Sequence, residues 1–495
     1  MQGGSGSEED SGVAACAGLQ PRDLLTSAGE ALEAFKRHHA PAQAELFLAA
    51  ERRLSLEYDA GTGRSIINQG ETVDAMARVS WDARQGLLTA TVGDAGALSL
   101  LLERTARQAT PGRASPLPEL PVQSEPQRVS GPPTLQPERA ARQAPLGRAS
   151  PLPALAARSD SPSVSGPPML QPERAARRMK HFIDTAVPQG SVVQAALLTQ
   201  VSTWRALVRA SGERRARAEW REELFVRCET PRGAVVDAVA FPEAAEDDAV
   251  IAPLRHRLAE AVEALTGPAE PLDRGLPLVL RPAVAAPLAA GLLWLLRGDV
   301  AAATPALARA VGRKVFPSVL GVVDDPNHPT ATRRVSMDDE GLSTDSLSLV
   351  EVGVLRGFLH ASDTASRLGA PPNGRGFRIA LSPPSPEAVN PFLVPGATAV
   401  LPADYTELVA RVETFTTMPR PGTVTLVAGG WEVRDGRRVR RVAPVELELP
   451  VLETFRALRG VGTDLTFFPT AEGCGTPTLV FPPLLSGARG GQAAS

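Results

Sequence analysis

Residues Met337–Gly369 read MDDEGLSTDSLSLVEVGVLRGFLHASDTASRLG, and this stretch sets the fold class of the second half of the chain. MDDEG is turn chemistry: Asp side chains bond nearby backbone N–H groups, and Gly takes the left-handed conformation. SLSLVEVGVLRGFLH alternates about Gly353 and reads as a hairpin. SDTASRLG reads as a short helix with Ser362 or Asp363 as its cap and Gly369 as its stop.

Toward the C-terminus, Asp435-Gly436 sits between the alternating runs VTLVAGGWEVR and RRVRRV, a strong hairpin signal. The run Arg437–Arg441 is too charged for a buried strand and reads as a solvated edge. VELELPVLETFRALRGVG adds a strand and a helix. Toward the N-terminus, LGVVDDP is a strand ending in a turn, LPLVLRP a short strand, and AVAAPLAAGLLWLLRGD an apolar helix in which Trp294 reads as core. PLRHRLAEAVEALTG is an amphipathic helix ending at Gly267. QAALLTQVSTWRALVRASG and RRARAEWREELFVRCET read as a strand pair with charged outer faces. A helix from Pro21, strands over AELFLAAERRLSLEYDA and TVDAMARVSWDARQGLLTATVG, and a helix capped by Asp94 complete the ordered pattern.

Between these parts lies a duplicated segment. GRASPLP occurs at Gly112–Pro118 and Gly147–Pro153, and LQPERAAR at Leu135–Arg142 and Leu170–Arg177, both at one offset of 35 residues. Pro recurs every few residues and no repeat carries an apolar face, so the segment reads as an extended insertion with short helical turns at PERAAR, not as a solenoid. The predicted organisation is α+β: residues 1–20 disordered, a split N-terminal α+β domain (21–104 and 179–270), the Pro-rich insertion (105–178), and a largely antiparallel β domain with helices (271–495).

Bulk properties exclude several function classes. A formal net charge of -3 argues against a nucleic-acid surface. The three cysteines, Cys16, Cys228 and Cys474, form no Cys-x-x-Cys pair and fit a reducing cytoplasm. The start of the chain lacks the pattern of a signal peptide. The longest apolar run, Val284–Leu296, is interrupted by Pro287 and falls short of the roughly 20 residues that span a bilayer. No phosphate loop, dinucleotide fingerprint or nucleophile elbow occurs, and the six histidines show no helical ligand spacing. The carboxylate-rich points are Asp324-Asp325-Pro326 and Asp338-Asp339-Glu340-Gly341. They could hold a hard cation or supply an acid and a base, but turn chemistry explains them more simply. Cys474 in EGCGTP has no basic neighbour in sequence to activate it. His360 reads as a capping or surface residue.

VVDDPNHP (Val322–Pro329), Met337–Gly369 and NGRGFR (Asn373–Arg378), in this order, resemble the TldD/PmbA (TldE) family of metallopeptidases and modulators of DNA gyrase. GGWEVRDGRRV, LPVLETFRALRGVGTDL and GTPTLVFPPLLSG resemble its C-terminal blocks. The catalytic branch of that family carries His-Glu-x-x-x-His on the helix after the LPLVLRP-like strand, followed by Gly-Asp. Gly298-Asp299 places that motif here, so its positions fall on Ala289, Ala290 and Trp294. An alanine offers no lone pair to a metal, and an indole N–H only donates. The resemblance therefore implies the metal-free PmbA/TldE branch. It implies no cofactor on this chain, zinc in a TldD-like homologue that forms a heterodimer with it, and hydrolysis of unfolded or modified peptides by the pair. The β-rich module would take an extended peptide by strand addition. The alternative is a stand-alone peptide-binding or scaffold protein with the Pro-rich segment as docking arm. A third reading is a diverged hydrolase using Asp324, Asp338, Asp339 or Glu340.

Overall fold

The computed structural model describes residues 21–41, 43–81, 84–94, 96–111, 169–186, 192–242, 246–330, 332–379, 381–397, 401–413, 422–469 and 474–483. The N-terminal 20 residues, Cys16 and the first copies of both repeats lie outside them.

Helix α1 (Pro21–His39) buries Leu24, Ala28, Leu32 and Phe35, the stripe expected of an amphipathic helix. Strands β1 (Gln43–Asp59), β2 (Arg64–Trp81) and β3 (Arg84–Thr91) form an antiparallel meander. Helix α2 (Gly96–Arg107) follows, and Asp94 caps its start: Oδ1 accepts the Ala97 N–H at 3.0 Å. The short β4 (Thr110–Pro111) pairs with β3. Helix α3 (Pro172–Ala186) leads into a second meander of β5 (Val192–Arg209), β6 (Arg214–Thr230) and β7 (Gly233–Ala240), which helix α4 (Asp247–Leu265) covers.

The predicted insertion boundary at 178 is corrected here. The second copy of LQPERAAR, Leu170–Arg177, opens α3. Its helix is anchored by Ala175, Met179 and Phe182, buried against Leu54, Leu56 and Leu198. Two of those three anchors lie beyond the repeat, which is why the repeat alone shows no apolar face.

The second half begins with β8 (Pro277–Leu280), α5 (Pro282–Leu295), α6 (Gly298–Ala303) and α7 (Pro305–Ala308). Strands β9 (Val322–Asp324), β10 (Leu347–Glu351) and β11 (Val354–Leu355) follow, with the hairpin turn at Val352 and Gly353, both at positive φ. Helix α8 (Ser362–Leu368) ends on Gly369 in the left-handed region, as predicted. Strands β12 (Gly376–Phe377), β13 (Ser385–Pro386) and β14 (Pro391–Leu393) precede the long β15 (Tyr405–Val412), β16 (Thr423–Arg434) and β17 (Arg437–Pro450). Asp435 and Gly436 make the β16–β17 turn at positive φ, again as predicted. Helix α9 (Val451–Arg456), β18 (Gly460–Val461) and β19 (Leu479–Pro483) close the chain.

The fold is α+β with mostly antiparallel pairing. Among the described residues, thirteen strands share one sheet in the order β18-β19-β8-β15-β7-β6-β5-β1-β2-β3-β4, with β16 and β17 running off β15. The two halves meet where β15 pairs with β7, Val412 opposite Val235. Helices α1 and α2 cover one end of the sheet over Leu46, Trp204 and Val208. Helices α3 and α4 cover its middle, and α5 and α9 pack on β15 to β17. No described helix is long and apolar enough to cross a membrane.

Candidate functional site

Helix α5 starts at Pro282, whose missing N–H costs nothing in the first turn. The helix sits hard on its neighbours: a Cβ on Gly291 would fall 2.7 Å from a Val424 methyl and 2.9 Å from one of Val451. Ala289 is wholly buried in the core, while Ala290 is half-buried. Trp294 is 46% exposed, so its predicted core role is corrected. The reason is helix geometry: five residues is about 140° past a full turn, so positions 289 and 294 leave the helix on different sides. An imidazole at 289 would overfill a packed core. These three side chains do not fit a zinc ion. Among the described residues, no three His, Cys, Asp or Glu side chains come together as a ligand set.

Beyond α5, Gly298 lies so close to His360 that a Cβ would meet Nδ1 at 2.6 Å. Asp299 is held by Arg297 at 2.9 Å, and Arg297 also pairs with Glu387. His360 is buried, not a surface or capping residue, and burial lowers its pKa. Its Nδ1 lies 3.4 Å from Thr364 Oγ1. Neither Ser362 nor Asp363 caps α8. The N-cap is Ala361, and the Glu340 carboxylate accepts the Ser362 N–H at 2.8 Å. A carboxylate from a distant turn replaces the local cap, which no local pattern could reveal.

The remaining candidate carboxylates are each taken by fixed partners. Asp324 is fully buried, pairs with the fully buried Arg375, and accepts the N–H of Asn390 at 2.6 Å and of Val389 at 3.0 Å. Asp325 closes a local turn on the Asn327 N–H at 2.9 Å. Asp338 accepts the N–H groups of Leu342 (2.9 Å), Gly376 (2.9 Å) and Glu340 (3.0 Å). Burial, with the charge of Glu340 beside it, pushes the Asp338 carboxyl up to about 7, and burial raises that of Glu340. Gly341 sits at φ 87° and makes this tight turn possible. Asp339 pairs with Arg205 at 2.6 Å and Arg217 at 2.8 Å and accepts the Arg378 N–H at 2.8 Å.

Asp339 belongs to a larger buried network that sequence reading missed. Glu45 of β1 pairs with Arg209 of β5 at 3.1 Å and with Arg378 at 3.3 Å. Glu219 of β6 pairs with Arg333. The charged faces of β5 and β6 were expected to meet solvent. Instead they meet the loops around 333–342 and 376–382, which also seat Leu342 and Leu381 beside Phe47, Met76 and Leu207. Only the alternation of charged and apolar residues over Arg215–Arg221 of β6 hinted at it; the covering loops are over a hundred residues away.

Burial acts to raise the Glu219 carboxyl, but the charge and hydrogen bonds of Arg333 outweigh it and hold it at about 2. Its folded pKa thus lies below its ordinary 4.5, so its stabilisation is present above that pH and lost as pH falls through about 2. Glu219→Gln should therefore flatten the acid limb of stability. The urea midpoint of the parent should fall more between about pH 5 and 3 than that of the variant.

Cys474 is buried, and burial pushes its thiol up to about 12; Cys228 is likewise pushed up to about 11. Both are protonated at neutral pH and unsuited to nucleophilic or ligand roles in this state.

Residues 273–485 match the model of the PmbA/TldA metallopeptidase C-terminal domain. This part of the chain is a domain of the TldD/PmbA type. It is 28% identical over 164 residues to a metalloprotease of Methanothermobacter thermautotrophicus, covering 31% of this chain and 35% of that protein. It is 27% identical over 170 residues to a metalloprotease of Synechocystis, covering 34% of this chain and 36% of that protein. The matches thus span about a third of the length of these relatives. The fold is similar to that of TldE from Thermococcus kodakarensis, with a TM-score of 0.69 and 18% identity over 92% of this chain and 98% of that one. The matched region holds α5, the Asp324–Arg375 pair and the Asp338–Glu340 turn, while the strands of residues 43–240 lie outside it.

Proposed function

We propose that the chain is a TldE/PmbA-like subunit that keeps the family framework and leaves zinc chemistry to a TldD-like homologue, the two together degrading unfolded or modified peptides. The observation that carries this reading is the composition and packing of α5. Ala289, Ala290 and Trp294 stand where the catalytic branch has its ligands and base, and the first of them is sealed in the core. Three roles are lost together, so a single ligand from elsewhere would not rebuild the site. The burial of Asp324, Asp338, Asp339 and Glu340 among arginines and backbone N–H groups adds support, because an acid or base must reach its substrate. In this reading the chain's own residues supply a rigid wall and peptide-binding surface.

Purified chain should carry no stoichiometric zinc by elemental analysis. It should show no peptidase activity alone and restore none after zinc addition. Mixed with a homologue bearing His-Glu-x-x-x-His, it should yield chelator-sensitive cleavage of unfolded peptides. Chelator-sensitive cleavage by the chain alone would overturn the proposal.

A further inference from the structure

A cavity of about 410 Å³ lies between α5, α7 and α9, apart from Ala289, Ala290, Trp294 and the buried carboxylates. Its walls include Leu292 of α5 and Leu296 at that helix's C-cap, Leu307 of α7, Phe316, Leu355 of β11 and Leu452 of α9. Four of these, Leu292, Leu296, Phe316 and Leu355, are core residues at 5% exposure or less. Protein interiors pack with few voids larger than a water molecule, so an aliphatic space of this size is a formed feature. Its volume falls within the roughly 300–1,000 Å³ of small-ligand sites, which are mostly apolar with a few polar groups that fix orientation.

Glu453 and Arg456 of α9 supply those groups. They are three residues apart on one helix, hence neighbours on one face, roughly 5–6 Å apart at Cβ. Both are exposed, and neither forms an ion pair among the described residues. A lone arginine would select an anion and a lone glutamate a cation. The two together, over an aliphatic cavity, complement a molecule that carries both charges close together and an apolar body.

We infer that this cavity binds a short zwitterionic peptide with aliphatic side chains, of dipeptide size. Its side chains enter between α5 and α9, its carboxylate meets Arg456 and its ammonium meets Glu453. The inference rests on the peptide-handling reading above for its ligand class and places a peptide-end subsite away from the degenerate helix.

The test is calorimetry on the full chain with Leu-Leu, with Leu-Leu capped at both ends, and with decanoate. Leu-Leu should bind, and the capped form and decanoate should bind at least fivefold more weakly. Arg456→Gln and Glu453→Gln, both at exposed positions that cannot unfold the core, should each weaken Leu-Leu by about fivefold, the scale of a part-exposed ion pair. Leu307→Trp, filling the cavity, should abolish binding with the thermal midpoint unchanged or raised. Equal binding of the capped peptide, tighter binding of decanoate, or no binding of Leu-Leu would each overturn the assignment. If Leu-Leu fails to bind while the mixed complex still cleaves peptides, this inference falls and the subunit proposal stands. The opposite result separates them the other way.

Discussion

Arg375→Ala should lower the stability of the protein by about 3–5 kcal/mol, the scale of removing one partner from a buried ion pair. Arg375 and Asp324 are both fully buried. The guanidinium is saturated: Nε meets the Asp324 carboxylate, Nη1 donates to the carbonyls of Asn373 at 3.1 Å and Gly374 at 3.2 Å, and Nη2 donates to those of Asp345 at 2.6 Å and Asp324 at 3.2 Å. The side chain thus ties β9, the segment just before β10, and the NGRGFR loop into one unit. Truncation strands a buried carboxylate with only the N–H groups of Val389 and Asn390, and strands four carbonyl contacts as well. A domain is stable by only about 5–15 kcal/mol, so the variant should unfold at a much lower urea concentration. Pairing Arg375→Met with Asp324→Asn should recover part of the loss, because no net charge then stays buried. A loss under about 1 kcal/mol for Arg375→Ala would show that the pair carries no such load.

Asp339→Ala should be of similar size, about 3–5 kcal/mol, for a different reason. Asp339 holds two guanidinium groups, Arg205 at 2.6 Å and Arg217 at 2.8 Å, on neighbouring strands β5 and β6. Burial acts to raise its carboxyl, but the charges of Arg217 and Arg205 outweigh this and hold it low. Burial already depresses Arg217, so without Asp339 two like charges face each other in a place that disfavours either. Because Asp339 joins the second half of the chain to the sheet of the first, the damage should be directional. Hydrogen exchange should rise across residues 337–345 and the 205–217 region while α5 and β8 stay protected. Asp339→Asn, which keeps the volume and one acceptor, should lose less.

Asp324 and Asp339 stood in the sequence as turn acids, and local reasoning went no further because their arginine partners are remote. Asp-Pro and Asp-Asp-Glu-Gly do form turns, and the hairpins at Gly353 and Asp435-Gly436 follow from short-range conformational rules. Such features depend on residues within a few positions and were legible. The Asp339–Arg217 contact joins residues more than a hundred positions apart and leaves no local trace. The same holds for Glu340 capping α8 and for His360, whose burial depends on α6 lying against it. Trp294 failed differently: an apolar helix was read as buried all round, yet one side of α5 faces outward.

By itself the sequence determined the α+β class, most of the strands, helices and turns, the family resemblance, and the absence of a ligating side chain at 289, 290 and 294. Each follows from residue chemistry or from periods of two and 3.6 residues, which act over short distances. Only the tertiary structure decided that the two halves share one sheet through β7 and β15, that the charged faces of β5 and β6 are interior, and that α5 and α9 enclose a cavity. Those outcomes depend on which surfaces a long chain brings together, and burial there converts solvated charges into paired ones whose loss is costly.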